Sequence, residues 1–269
     1  MDLYFETYSG ISGDITIGAL LDLGADKQVL IDALQSMNFG EYELVFERCK
    51  KKGIDAFKFD VVTKENPHVH HCHHEHHEHE HHHEHCCHEH HHHIHRGLKE
   101  IIEIIDSGNF SEKAKENAKK IFEIIGKAEA KAHGTTIEEV HFHEVGAIDS
   151  IIDIVGVCVL IDNLNPEHIY FTELYEGKGF VKCAHGTMPV PAPAVLNIVM
   201  NENIPLNIID DEGEHVTPTG AGIVALFSEG KVPYSFNIKK IGLGAGTRDF
   251  KNTTNILRVM EIENSKKKH

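Results

Sequence analysis

The sequence contains no tryptophan, an absence that by itself excludes nothing. Other absences decide more. No run of about 18 apolar residues occurs, so nothing reads as a membrane span. The opening MDLYFETYSG lacks the basic and apolar regions of a secretory signal, and the expected location is cytoplasmic. Positive charge is scarce: 26 Lys and Arg stand against 42 Asp and Glu, a net −16 at pH 7 with His neutral. That balance argues against nucleic acid as a partner and suits cations. Cysteine is sparse outside one stretch. Cys49, Cys72, Cys86, Cys87, Cys158 and Cys183 make no disulfide framework, and a reducing cytosol keeps them as thiols. No internal repeat is visible.

Histidine is what the chain has in excess. Residues 68–95 read HVHHCHHEHHEHEHHHEHCCHEHHHHIH, with 18 His, 5 Glu and 3 Cys. Val69 and Ile94 are the ordinary apolar residues there, so no period can build a core, and a disordered or metal-ordered loop is expected. Neutral imidazole binds Ni, Cu and Zn, and thiolate adds softness. The expected ligands are His70, His71, His73, His74, His76, His77, His79, His81, His82, His83, His85, Cys86, Cys87, His88, His90, His91, His92 and His93. At ~4 protein ligands per ion, the stretch has room for ~4 ions. A purification tag is the bland alternative, but a tag is normally terminal and pure His.

Around this insertion the pattern predicts a single globular unit, 1–66 with 96–269, in one body or two lobes. Leu3-Tyr4-Phe5 reads as a strand, followed by a Gly/Ser turn and a helix from Asp14 to near Gly24. Asp26 caps a second helix. Glu43 to Arg48 and Ala56 to Thr63 read as a hairpin. Two amphipathic helices follow the insertion, one ending at Gly108 and one capped by Ser111. From Ile148 to Leu164 the apolar residues cover nearly the whole circumference, which marks a buried helix. His168 to Thr172 and Phe180 to Cys183 read as strands. Pro191 and Pro193 sit where a helix would start, Thr217-Pro218 starts another, and Phe236–Leu243 and Asn255–Glu261 close the chain as strands. The class expected is α/β, or α+β, with a mixed sheet flanked by helices.

Several residues are candidates for chemistry. On an extended chain His141 and His143 point one way and Phe142 the other, toward the core. Glu144 and a glycine break follow, then Asp149 and Asp153 at i and i+4 on the buried helix. Carboxylates there need a cation, a hydrogen-bond network or solvent. Acids in a first turn also favour the positive helix end, so both readings stand. Ser9-Gly10-Ile11-Ser12-Gly13-Asp14 is a glycine turn entering a helix, suited to a phosphate but also an ordinary tight turn. Thr217-Pro218-Thr219-Gly220 is a second turn of the same kind. Gly242 to Thr247 precede a strand, which rules against a dinucleotide site, while Arg248 is placed to meet a phosphate or carboxylate. A zinc hydrolase using His141 and His143 lacks HExxH spacing. A non-enzymatic nickel store or metallochaperone would need the His tract alone.

Taken together, SGISGD at 9–14, the internal His tract, HFHEVGAIDSIIDIVG at 141–156, AHGTMPVPAPA at 184–194, TPTGAG at 217–222 and GLGAGTRDF at 242–250 resemble the LarC family over essentially the whole chain. Its members are nickel insertion proteins of nickel-pincer nucleotide biosynthesis. The resemblance implies a nickel chelatase, classed as a lyase, placing Ni(II) in a thiocarboxylated pyridinium mononucleotide through one carbon and two sulfur bonds. The product would be the cofactor of lactate racemase. CTP, with Mn or Mg, would be consumed by a further C-terminal domain that is the expected partner; a homo-oligomer is compatible with the sequence. Lys266-Lys267-Lys268 fits an A-rich slippage run, which implies an N-terminal product of frameshifting.

Overall fold

The computed structural model describes residues 1–63, 96–142, 145–183 and 186–264, and of His141 the backbone alone. The histidine tract, His143, Glu144 and His185 lie outside the described residues.

The chain opens with β1 (Asp2–Glu6) and α1 (Gly13–Leu23), which stops where Gly24 takes the left-handed conformation at φ 118°. A side chain can hardly adopt that φ, so glycine ends the helix there. In α2 (Lys27–Ser36) the Asp26 carboxylate accepts from the Gln28 amide, as the sequence leads one to expect. Next come β2 (Tyr42–Lys51) and β3 (Ile54–Thr63), a hairpin several residues longer than the sequence suggests. The short β4 (Arg96–Gly97) precedes α3 (Leu98–Ser107) and α4 (Glu112–His133), whose Ser111 hydroxyl accepts from the Ala114 amide. β5 (His141–Phe142) pairs with β4 and leads to α5 (Ile148–Leu164). Ten consecutive-turn residues of α5 from Ile151 to Ile161 are buried, with no polar face in its middle.

The second half contains β6 (His168–Phe171), β7 (Leu174–Lys178), β8 (Phe180–Cys183), β9 (Gly186–Pro189), α6 (Pro193–Asn201), β10 (Leu206–Glu212), α7 (Pro218–Phe227), β11 (Phe236–Ala245) and β12 (Ile256–Asn264). Sequence reading does not find β7, β9 and β10. LYEGK, GTMP and LNIIDDE are short and largely polar, and two of them contain a glycine.

The main sheet has the order β2-β3-β11-β12-β1-β6. β1 runs parallel to β6, β11 parallel to β3, and β12 antiparallel to both of its neighbours. The sheet is mixed, as expected, and β1, β3, β6 and β11 share one direction.

Leu3, Phe5, Leu257 and Val259 turn toward the helices and join the main core, while Tyr4, Met260 and Ile262 form a separate apolar cluster. Alternation along the strands assigns the two sets to opposite faces. Gly242 and Gly244 show why α1 lies so close to the sheet. A Cβ at Gly244 would sit 1.9 Å from the Ile15 carbonyl oxygen, and one at Gly242 would sit 2.2 Å from that of Ala19. The GLGAG run is therefore a helix-packing seam of a strand.

Candidate functional site

A cavity of about 710 Å³ opens beyond Thr63 at the carboxyl end of β3, where the first turns of four helices meet. Ser12, Gly13 and Asp14 of α1, Asp149 and Asp153 of α5, Ala194 of α6, and Thr217 and Thr219 of α7 line it. Open α/β sheets place their ligand sites at this end because the helices begin there with free amides. Ala147 and Ala192 are the N-caps of α5 and α6 and bring no side-chain acceptor. Each of these first turns presents the positive end of a helix dipole to the cavity.

Acidic side chains answer that field. The Asp153 carboxylate takes the Asp14 amide proton in a hydrogen bond, so part of the α1 terminus is already satisfied by α5. Burial raises the Asp153 pKa well above the usual carboxylate range, and the neighbouring Asp14 and Asp149 push it the same way. Burial likewise raises Asp14, although the Ser12 hydroxyl donates to its Oδ1 and opposes the shift. The Asp149 Oδ1 accepts from the Ser150 amide at 2.8 Å. Burial and the neighbouring negative charge both favour the protonated form of Asp153.

The other candidates fall in two groups. Arg248 lines the cavity, its Nη1 3.9 Å from Glu214 Oε2. Its loop is pinned from behind: Lys51 Nζ donates to the Thr247 carbonyl at 3.0 Å and to Asp249 Oδ1 at 2.7 Å, and Asn255 Nδ2 donates to the Arg248 carbonyl at 2.8 Å. Ser9 and Gly10 are not among the residues that line the cavity. At Gly10 (φ +88°) a Cβ would meet the His215 carbonyl oxygen at 2.0 Å, and at Gly220 one would meet that of Ile11 at 2.1 Å. Ile11 and Val216 form a parallel bridge, so the two glycine turns are fastened to each other. The Thr217 hydroxyl accepts the Gly220 amide at 3.1 Å and caps α7 itself. His141 is placed by β5, while Phe142 is buried in the core as its alternation implies. Among the described residues no three His, Cys, Asp or Glu side chains converge closely enough to hold a metal ion. No helix among them is long and apolar enough to cross a membrane.

Sequence reasoning misses Glu129 and His133 at the end of α4, and Lys182 and Cys183 on the β8–β9 hairpin, all of which line the cavity. It also misses Glu176. This side chain is fully buried and its Oε1 accepts from the amides of His215 at 2.6 Å, Gly177 at 2.8 Å and Val216 at 3.3 Å. Burial pushes its pKa up to about 7. Nothing in LYEGK signals a buried carboxyl, because two of its three partners are backbone amides 39 and 40 residues away.

The arrangement defines a cavity at the end of a mixed sheet where the helices begin, lined by the carboxylates of Asp14, Glu129, Asp149, Asp153 and Glu214 together with Lys182 and Arg248. The family described as nickel insertion protein matches residues 3–269, and the chain belongs to it. A pyridinium-3,5-bisthiocarboxylic acid mononucleotide nickel insertion protein of Alkaliphilus metalliredigens is 51% identical over 265 residues, covering 98% of this chain and 61% of that protein. Its counterpart in Clostridium acetobutylicum is 48% identical over 266 residues, covering 96% of this chain and 63% of that protein. The chain thus spans about three-fifths of the length of these relatives. No solved structure matches.

Proposed function

We propose that this chain takes part in inserting nickel(II) into a pyridinium-3,5-bisthiocarboxylate mononucleotide, and that the cavity at the four helix starts is where metal and nucleotide meet. One observation carries the reading: residues from four of the stretches that mark the family, Asp14, Asp153, Thr217 and Arg248, face one cavity. The nucleotide brings anionic groups and a cationic ring. Uncapped first turns of α5 and α6, with Arg248 and Lys182, suit the phosphate and thiocarboxylates. Asp14, Asp149, Asp153 and Glu214 suit the cationic ring and the incoming nickel.

Nickel is cargo here and has to be released. Carboxylate and imidazole surrender a late metal to two sulfurs more readily than a thiolate cage would. As carbon binds nickel, the ring C–H bond breaks and its proton needs an acceptor. Asp153, Asp149 and Glu144 are the candidates, and burial, which raises the pKa of Asp153, makes its carboxylate a stronger base than an exposed one. His141 and His143 are assigned to guiding nickel toward α5, and the His tract to supplying it. The product would be the cofactor of lactate racemase. CTP hydrolysis to CMP and pyrophosphate, with Mn or Mg, belongs in this reading to a further domain.

Incubation with nickel(II), the thiocarboxylated nucleotide and CTP, with and without that further domain, followed by mass spectrometry of the nucleotide, tests the proposal. A nickel-bearing nucleotide supports it. Nickel binding by the chain with no transfer under either condition leaves storage as the function.

A further inference from the structure

We propose that the helix-free face of the six-stranded sheet is a docking surface, and that it seats the additional stretch of chain carried by the full-length relatives. The observations are independent of the cavity. All the apolar side chains that the helices cover belong to one core, but the sheet carries two more clusters that contain no helix residue. One is Tyr4, Met260 and Ile262 with Tyr170, Val232 and Phe236; the other is Cys49, Ala56 and Ala245 with Leu243 and Ile256. A sheet face left to solvent normally alternates to polar residues. Here the register sets Ile238 against Ile262 and Ile241 against Met260 across the two central strands. Ile262 and Met260 are themselves buried, but Ile238 and Ile241 remain 49% and 50% exposed, and Tyr234, in the segment that leads into β11, is fully exposed. Arg258, between Ile256 and Met260 on this face, is paired with Glu6 across the strands, so its charge is already neutralised there. Exposed apolar side chains beside neutralised charge suit an interface.

The occupant follows from length. This chain accounts for only 61% of the Alkaliphilus metalliredigens relative. The remaining two-fifths is enough for a domain of its own, and a domain in the same protein rests against its neighbour over an area of roughly 600–1,500 Å². Ile238 and Ile241, both half-exposed on a central strand, are apolar side chains that such a neighbour would cover.

The test is thiol accessibility. Ile241→Cys and Ile238→Cys are made in this chain and at the aligned positions of the full-length Alkaliphilus metalliredigens protein, with Lys52→Cys on the exposed β2–β3 turn as reference. Each is pulsed with a maleimide and read by peptide mass mapping, with circular dichroism confirming the fold and light scattering giving the mass in solution. The reference should label at the same rate in both proteins. The two isoleucine positions should label at least tenfold more slowly in the full-length protein than in this chain. Equal, fast labelling in both overturns the proposal. Equal, slow labelling with a dimeric mass for this chain also overturns it, because the occupant is then a second copy. The readout uses neither nickel nor nucleotide, so it stands or falls apart from the proposed insertion.

Discussion

Gly13 and Asp153 touch: a Cβ on Gly13 would lie 2.4 Å from the Asp153 Cβ and 2.7 Å from its Oδ2. The contact is what lets the start of α1 and the first turns of α5 form one wall of the cavity. Gly13→Ala forces the two helices apart, and overpacking of this kind costs about 1–3 kcal/mol. Urea denaturation should show that loss, with insertion falling alongside. Unchanged stability would mean the wall yields without cost and the contact does not set the site.

Asp153 is held against its own electrostatics. Its folded-state pKa is raised, so the folded protein binds that proton more tightly than the unfolded chain does. Stability attributable to this group is therefore greatest at low pH and declines as pH rises above the ordinary carboxylate range. Asp153→Asn keeps an acceptor for the Asp14 amide and removes the charge. The variant should be more stable than its parent at pH 8 and lose that advantage near pH 4, while insertion drops at least tenfold. Denaturation midpoints at the two pH values check the first half. A variant less stable at pH 8 contradicts the assignment of strain to this carboxylate.

Glu176 offers a second pH window. Its pKa is raised from 4.5 to about 7, so stability from this group is complete below about pH 4.5 and is lost as pH climbs through 7. The difference corresponds to on the order of 3 kcal/mol. Glu176→Gln does not titrate and should flatten the slope of stability between pH 5 and 8. Since Glu176 holds His215 and Val216, and Val216 bridges to Ile11, a weakened clamp should also loosen both glycine turns. Hydrogen exchange at the Ile11 and Thr217 amides, which are bound across that bridge, reads this directly.

Much of this architecture is legible in the sequence because its signals are local. Asp26, Ser111 and Thr217 cap the helices they precede, and Gly24 and Gly134 end α1 and α4 in the left-handed conformation. The all-round apolar pattern of α5 correctly announces burial. The candidate site was legible as pieces: SGISGD, Asp149 with Asp153, TPTG and Arg248. Their meeting in one cavity was not, since it depends on parallel strands bringing distant helix starts to one end of a sheet. Glu176 and Lys182 were invisible for the same reason. A carboxyl buried by backbone amides and a lysine on a hairpin both look like surface residues in the sequence.

The histidine stretch makes a separate prediction. Imidazoles must be unprotonated to bind metal, so nickel bound by residues 68–95 should fall sharply below about pH 6. Deleting the stretch should remove most of the nickel capacity measured by calorimetry and leave insertion largely intact at saturating nickel. Unchanged capacity after deletion would show that the metal binds elsewhere, and complete loss of insertion would place the stretch inside the reaction centre.

The central claim is that nickel meets the nucleotide beside the start of α5. The most direct measurement is the rate at which nickel-bearing nucleotide accumulates, followed by mass spectrometry, in Asp149→Asn and His143→Ala of this chain joined to the additional stretch that the longer relatives carry. Each should slow insertion at least tenfold, about 1.4 kcal/mol of barrier, with total nickel bound by the protein unchanged. Folded variants that insert nickel at the parent rate would contradict the account and make these residues structural.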